Sequence, residues 1–393
     1  MADKRKEQPK KRGKAAETPP EEKKGRLKNT VLCGIILLLV LALVAVAAYR
    51  DGTGFDFLRR WLAYGEEELS AEYDYDAATN NRFALLGKGM AVLSGTELRV
   101  FRGNGTVALS KQVNLSAPAL QTAGELAVAY DVGGTQLWLV NTEGEVLLEL
   151  EKESSEPIIS ASVNAAGYLA VTAEKKGCKG CVSVYDRQQK LIFEFNSVER
   201  FVTDARVAED GRTVTAVTLG QENGSFVSSM VSYDVTKTDP QGAYTVSEGM
   251  VLAMDERDGR QITVSDTVLT FAENGEVIGQ YRYDGEYLRD WAVGEDYAVL
   301  LLNRYYAGSI GRIVTVGPDG KEITSLAVDE EVISLSAAGR YVAVLCAGEL
   351  KICTPELLEY AVQTDTDRAK AVLMCDDGSA LVLESEKGTR FVP

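Results

Sequence analysis

From residue 80 onward the chain keeps returning to one short unit: an apolar strand, a turn marked by Gly, and a second strand rich in Val, Leu and Ala. The marker glycines are Gly89, Gly124, Gly167, Gly211, Gly259, Gly294, Gly339 and Gly378. Their mean spacing of about 41 residues falls in the range of a four-stranded propeller blade, roughly 40–45 residues. The pattern predicts an all-β fold, a β-propeller.

Each unit reads as four strands, A to D, with alternating or continuous apolar residues. The third is the clearest, with strands expected over 158–163, 168–173, 182–185 and 191–195. The same plan fits the second (GELAVAYD, QLWLVN, EVLLELE) and the sixth (DYAVLLLN, RIVTVGPDG, EITSLAV). Between strands C and D, Asn104-Gly105, Glu143-Gly144, Asn274-Gly275 and Asp319-Gly320 are turn dipeptides suited to positive φ. The last unit, from Ala369, supplies only three strands. A fourth from residues 69–76 would pair the two ends and remove an exposed edge. That closure gives eight blades; seven is the alternative if one weak unit is decoration. The fourth unit is long, and its extra residues are placed around 238–242, the expected carrier of a distinctive loop.

The net charge of −16 is unevenly spread. Residues 1–29 hold 11 Lys/Arg against 5 Asp/Glu, whereas residues 50–393 hold 31 against 53. A folded region this acidic repels nucleic acid and anionic lipid. The excess reads first as a device for solubility, with a cationic partner as the alternative. The chain contains no histidine. Ser-His-Asp and Cys-His nucleophiles are therefore excluded, as are His-ligated zinc, copper and haem sites. No metal site and no cofactor are expected.

Thr30 to Tyr49 carries no charge across 20 residues, about 30 Å as a helix and the thickness of a hydrocarbon core. Lys23, Lys24, Arg26 and Lys28 precede it. Positive charge stays cytoplasmic, so the expected arrangement is a single-pass helix over 30–49 contacting lipid, with the N-terminus inside and the propeller outside. Ala45-Val46-Ala47 leaves a cleaved signal peptide as the alternative. Residues 1–29 lack apolar residues to fold around and read as a disordered basic tail. Residues 50–67 include Phe57, Leu58, Trp61 and Leu62 on one helical face, either at the lipid headgroups or packed on the propeller. The propeller is expected over 68–393.

The stretches YDYDAATNNRFALLGKGMAVLSG, AYDVGGTQLWLVN and VISLSAAGRYVAVL, together with the N-terminal anchor, resemble a family of bacterial membrane-anchored propellers of unassigned function. The resemblance implies a WD40-like or quinoprotein-like propeller at the bacterial cytoplasmic membrane, and it brings no activity. The chain departs from better-known relatives. It has no Trp-Asp dipeptide, and only Trp61, Trp138 and Trp291 are present.

Few residues carry a chemical reading. Cys178 and Cys181 lie three apart in a B–C hairpin, either as a small disulfide or as free thiols. Carboxylate groups such as Asp255/Glu256/Asp258 and Asp376/Asp377 sit in turns, where Asp caps and solvates the chain. Arg304-Tyr305-Tyr306 in the sixth B–C loop, with Tyr287 and Trp291 near in sequence, is the best group for a binding face. The expected function is a non-catalytic binding or scaffold module for an envelope protein or polymer, with oligomeric state open. The alternative is a carboxylate-based enzyme acting on cell-wall glycan in the central funnel. Converging carboxylates at the funnel mouth favour the enzyme; an apolar or aromatic loop patch favours the scaffold.

Overall fold

The computed structural model describes residues 31–44, 56, 60, 68, 70–257, 259–308 and 310–393. The chain divides into two compact units, 1–61 and 62–393. In the first, residues 31–44 form a helix exposed throughout, about 21 Å long at 1.5 Å per residue. Among the described residues no helix is long and apolar enough to cross a membrane. Residue 30 and residues 45–49 of the expected span lie outside the described residues. So do the tail 1–29 and, apart from Asp56 and Arg60, the segment 50–67.

The second unit is eight antiparallel sheets of four strands each. Blade 1 comprises Arg82–Leu86, Gly89–Leu93, Glu97–Phe101 and Val107–Gln112. Blades 2 to 7 follow in chain order over residues 118–151, 158–197, 201–248, 251–282, 287–328 and 332–364. Blade 8 takes Ala371–Met374, Ala380–Leu383 and Lys387–Phe391, and its outer strand is Glu72–Asp74 from the start of the unit. Eight blades and the terminal closure are both present.

Burial explains the repeat. The B strands are apolar on both sides and buried throughout in blades 1, 3, 6 and 8, because each sheet is covered by a neighbour on either face. The D strands alternate between exposed and half-buried residues at the perimeter. The eight apolar clusters among the described residues correspond one to one with the eight blade-to-blade interfaces. Leu86, Leu98, Trp138 and Val140, for example, lie between blades 1 and 2. Each fully buried Val or Leu contributes about 1.5–3 kcal/mol. The interface between blades 4 and 5 is the thinnest, with Val217, Met230, Val246, Val251 and Met254 as its buried members.

The A strands surround the axis, and their polar side chains reach to the next blade. Gln121 Oε1 accepts from Val163 N at 2.8 Å, and Ser162 Oγ donates to the Ala205 carbonyl at 2.6 Å. Asp290 Oδ2 accepts from Leu335 N at 3.0 Å, and Ser336 Oγ from Met374 N at 2.9 Å. Between blades 4 and 5 the link is an ion pair, Arg206 to Asp255 at 3.3 Å.

At the closure, Tyr73 is completely buried. Its hydroxyl donates to the Gly103 carbonyl of blade 1 at 3.0 Å and accepts from Arg390 Nη2 at 3.1 Å. Arg390 also donates to the Lys88 carbonyl at 2.6 Å. The first and last strands are thus bonded to each other and to blade 1.

The C–D turns repeat one geometry. In blades 1, 2, 3, 6 and 7 the fourth turn residue donates its N–H to the first carbonyl, at 2.9–3.0 Å, and has positive φ. A bulge in the strand pairing follows each time. Asn274-Gly275 differs: both residues have positive φ, 52° and 81°, the two-residue hairpin turn. The expected A–B marker Gly89 opens strand B instead, and the turn residue is Gly87 with φ 55°. Gly144 is doubly constrained, because a Cβ there would also strike the Ala108 carbonyl of blade 1. Gln189 fills the same slot in blade 3 at φ 59°, a strained place for a side chain.

Two substitutions test this slot by urea denaturation. Gln189→Gly is expected to raise stability by about 0.5–1 kcal/mol through relief of backbone strain. Gly144→Ala is expected to lower it by about 1–3 kcal/mol.

Candidate functional site

The channel has two ends. The D–A and B–C connections form one, here the upper end; the A–B and C–D turns form the other, the lower end.

Blade 4 dominates the upper end. Its B and C strands, Thr213–Glu222 and Ser225–Asp234, each run ten residues, and the overhang closes at Asn223-Gly224, both at positive φ. Arg200, just before strand A, holds this hairpin. Its guanidinium donates to Thr218 Oγ1, Glu222 Oε1, the Val227 carbonyl and Ser229 Oγ. Gly220 leaves room for it, since a Cβ would meet the guanidinium at 2.7 Å. Phe226, one residue past the tip strand's start, is 64% exposed; Phe201, with Lys179 Nζ of blade 3 over its ring at 5.2 Å, and Val198 are exposed as well. The extra length of blade 4 is therefore the B–C hairpin and not residues 238–242. There strand D begins at Pro240, and Asp234 closes the turn by accepting from Thr236 N and Oγ1.

Blade 6 raises the second wall. Its B–C loop leaves Asn303 and returns at Gly311. Tyr306 is 78% exposed and Tyr305 57%. The Tyr306 ring meets Tyr287 edge-on at 5.7 Å, and the Arg304 guanidinium lies over Tyr305 at 5.7 Å. Blade 5 between them has a two-residue B–C link, Asp266-Thr267, with Met250 and Leu252 exposed. The upper end thus carries an apolar saddle between two taller blades. Four of the expected binding residues, Tyr287, Arg304, Tyr305 and Tyr306, come together here. Trp291 does not. A bulge between Leu288 and Asp290 interrupts the alternation of strand A, and Trp291 packs on the core between blades 5 and 6.

At the lower end the A strands open on a cavity of about 510 Å³. Blades 2 and 3 contribute Gln121 and Asn164, blade 4 Arg206, Glu209 and Asp210, and blade 5 Asp255, Glu256 and Arg257. A second cavity of about 260 Å³ shares Arg206, Asp255 and Arg257, and adds Met254, Ile262, Val264 and Trp291. Both lie along the thin interface of blade 5. Asp255 accepts from Arg206 at 3.3 Å and pairs with Arg257 at 3.0 Å. Burial, reinforced by the charges of Asp210 and Glu209, pushes the Glu256 carboxyl above the usual glutamate range. Burial likewise raises Asp290 in the channel wall. None of these lower-end residues other than Trp291 stood out as a binding residue in the sequence, because they converge from blades more than a hundred residues apart.

The cysteines are unbridged. Cys178 sits half-exposed in the B–C turn of blade 3, whereas Cys181 is buried in strand C. Burial raises the Cys181 thiol, and pushes Cys353 and Cys375 up to about 11. Among the described residues no three Cys, Asp or Glu groups are placed to hold a metal ion.

The description "Family of unknown function (DUF5711)" applies to residues 60–389. The chain belongs to this family. No curated protein matches it. The C-terminal WD40 domain of Sif2 is similar at 14% identity and TM-score 0.59, over 83% of this chain and 99% of that one. BamB from Moraxella catarrhalis is similar at 12% identity and TM-score 0.53, over 82% and 99%. The computationally designed Ika8 protein is similar at 14% identity and TM-score 0.56, over 84% and 100%. At these identities the likeness is one of fold alone, a β-propeller.

Two outcomes follow. Iodoacetamide at pH 8 is expected to modify Cys178 well before Cys353 or Cys375, read by peptide mass spectrometry; the thiolate is the reacting form, and the buried thiols hold little of it. Glu256, with its folded value raised, contributes stability fully present below its ordinary value of 4.5 and lost as pH rises through the folded value. Glu256→Gln is therefore expected to stabilise at pH 7–8, with the gain vanishing by about pH 4 in urea titrations.

Proposed function

We propose that this propeller is a non-catalytic binding module that engages an envelope protein through its upper end. The observation that carries the reading is the apolar saddle: Phe201 and Phe226 on one side, Tyr287, Tyr305 and Tyr306 on the other, with Met250 and Leu252 between, all exposed. Aromatic side chains are over-represented among the residues that carry interface energy. The Arg200 clamp adds to this, since a braced hairpin loses little freedom on binding.

The reading includes a location. The 20 uncharged residues from Thr30, preceded by Lys23, Lys24, Arg26 and Lys28, support a single-pass anchor in the cytoplasmic membrane with the propeller outside. In this reading the basic tail stays in the cytosol, and the acidic ring works where its partner is another envelope component.

Site-specific photocrosslinking in intact cells tests both parts. A photoreactive residue at Tyr306 or Phe226 is expected to give the same protein adduct, and one at Lys321 on the lower rim none. Tyr305→Asp with Tyr306→Asp is expected to weaken the adduct at Phe226 at least tenfold, the size of a loss of about 2 kcal/mol. A membrane-impermeant maleimide is expected to label Cys178 without lysis. Equal adducts from Lys321, or labelling only after lysis, contradict the reading.

A further inference from the structure

The lower cavity has a composition that the upper-end reading does not use. Its lining mixes both signs of charge: Glu209, Asp210, Asp255 and Glu256 against Arg206 and Arg257, and it includes the neutral amide of Gln121. A ligand carrying one net charge meets like charge across the cavity, whichever sign it has. A ligand whose groups each donate and accept is served by both kinds of wall, and hydroxyls do this. We propose that the two lower cavities together form a binding site for a neutral oligosaccharide.

Three further observations support this assignment. Asp255 is engaged by both guanidinium groups, so the arginines are held in place rather than left to swing. Arg206 Nε is buried and has no protein acceptor, an orphan donor that a hydroxyl oxygen satisfies. Among the described residues Glu256 accepts no hydrogen bond and forms no ion pair, so its carboxyl is an open acceptor, and a donor too when protonated. The adjoining cavity then supplies what a sugar ring needs on its carbon face. Trp291 and Met254 line it, and an indole offers a broad apolar surface of fixed geometry. The volumes, about 510 and 260 Å³, fall within the range of sites that enclose small ligands, roughly 300–1,000 Å³ together.

The site lies at the opposite end of the ring from the saddle, so the two proposals stand or fall separately. The test uses the full-length purified chain on an array of neutral glycans, followed by calorimetric titration of the strongest binder. Putrescine and citrate serve as cationic and anionic controls. The expected result is saturable binding of a neutral glycan with Kd below about 1 mM and no heat from either control. Trp291→Ala and Arg257→Ala are each expected to weaken it at least tenfold. Arg257 is half-exposed, so its variant retains the fold even if Trp291→Ala does not, and thermal melting checks each. Upper-end variants such as Tyr306→Asp leave glycan binding unchanged. The proposal is overturned if no neutral glycan binds, if either charged control binds in an Arg257-dependent manner, or if glycan binding survives both lower-end variants.

Discussion

Everything in this ring follows from sheets that are apolar on both faces. Strand B of blade 6, Ala298–Asn303, is buried along its whole length, and such a strand is stable only with a sheet on each side. No blade can be the last one. The row must close, and the chain closes it by lending Glu72–Asp74 to blade 8. Tyr73 and Arg390 convert that loan into a buried junction shared with blade 1. The polar consequences fall on the axis, where the A strands turn inward and cannot be covered. Gln121, Ser162, Asp290 and Ser336 use that position to bond blades 2, 3, 6 and 7 to their successors.

The ring is not uniform, and its irregularity lies where the sites are. Between blades 4 and 5 the apolar cluster shrinks and an Arg–Asp pair takes the place of a neutral hydrogen bond. The lower cavities open beside this seam, and above it blade 5 has the short loop that makes the saddle. An interface with less buried apolar surface opens at lower cost, so this seam is the most adaptable part of a rigid scaffold. The upper walls are stiffened separately, blade 4 by the Arg200 guanidinium and blade 6 by the Tyr287–Tyr306 contact.

Much of the fold is legible in the sequence because its causes are local. Continuous apolar runs such as AVLLLN announce strands buried on both faces, and Gly at the fourth turn residue announces the C–D bend. The closing strand is legible by counting, since the last unit lacks one. What resists reading has causes that are distant or subtle. The bulge after Leu288 separates Trp291 from Tyr287, although a regular strand would place them on one face. The blade 4 overhang is written in the alternation on either side of Asn223-Gly224, but the extra residues near 238 compete for the same explanation. The lower cavity needs Gln121, Asn164, Arg206 and Asp255 from four blades, and no local pattern predicts that meeting. The expected membrane span is legible as composition, and the described helix over 31–44 covers 14 of its 20 residues.

The closure is the claim on which the ring depends, and native-state hydrogen exchange measures it directly. Amides of Glu72–Asp74 and Lys387–Phe391 are expected to exchange at the same slow rate as the central strand Ala298–Asn303, because opening the junction unfolds the whole ring. Exchange of Glu72–Asp74 at the rate of the exposed B–C loop of blade 6, with the remaining strands still protected, would show that the ring holds without its terminal strand and contradict the account.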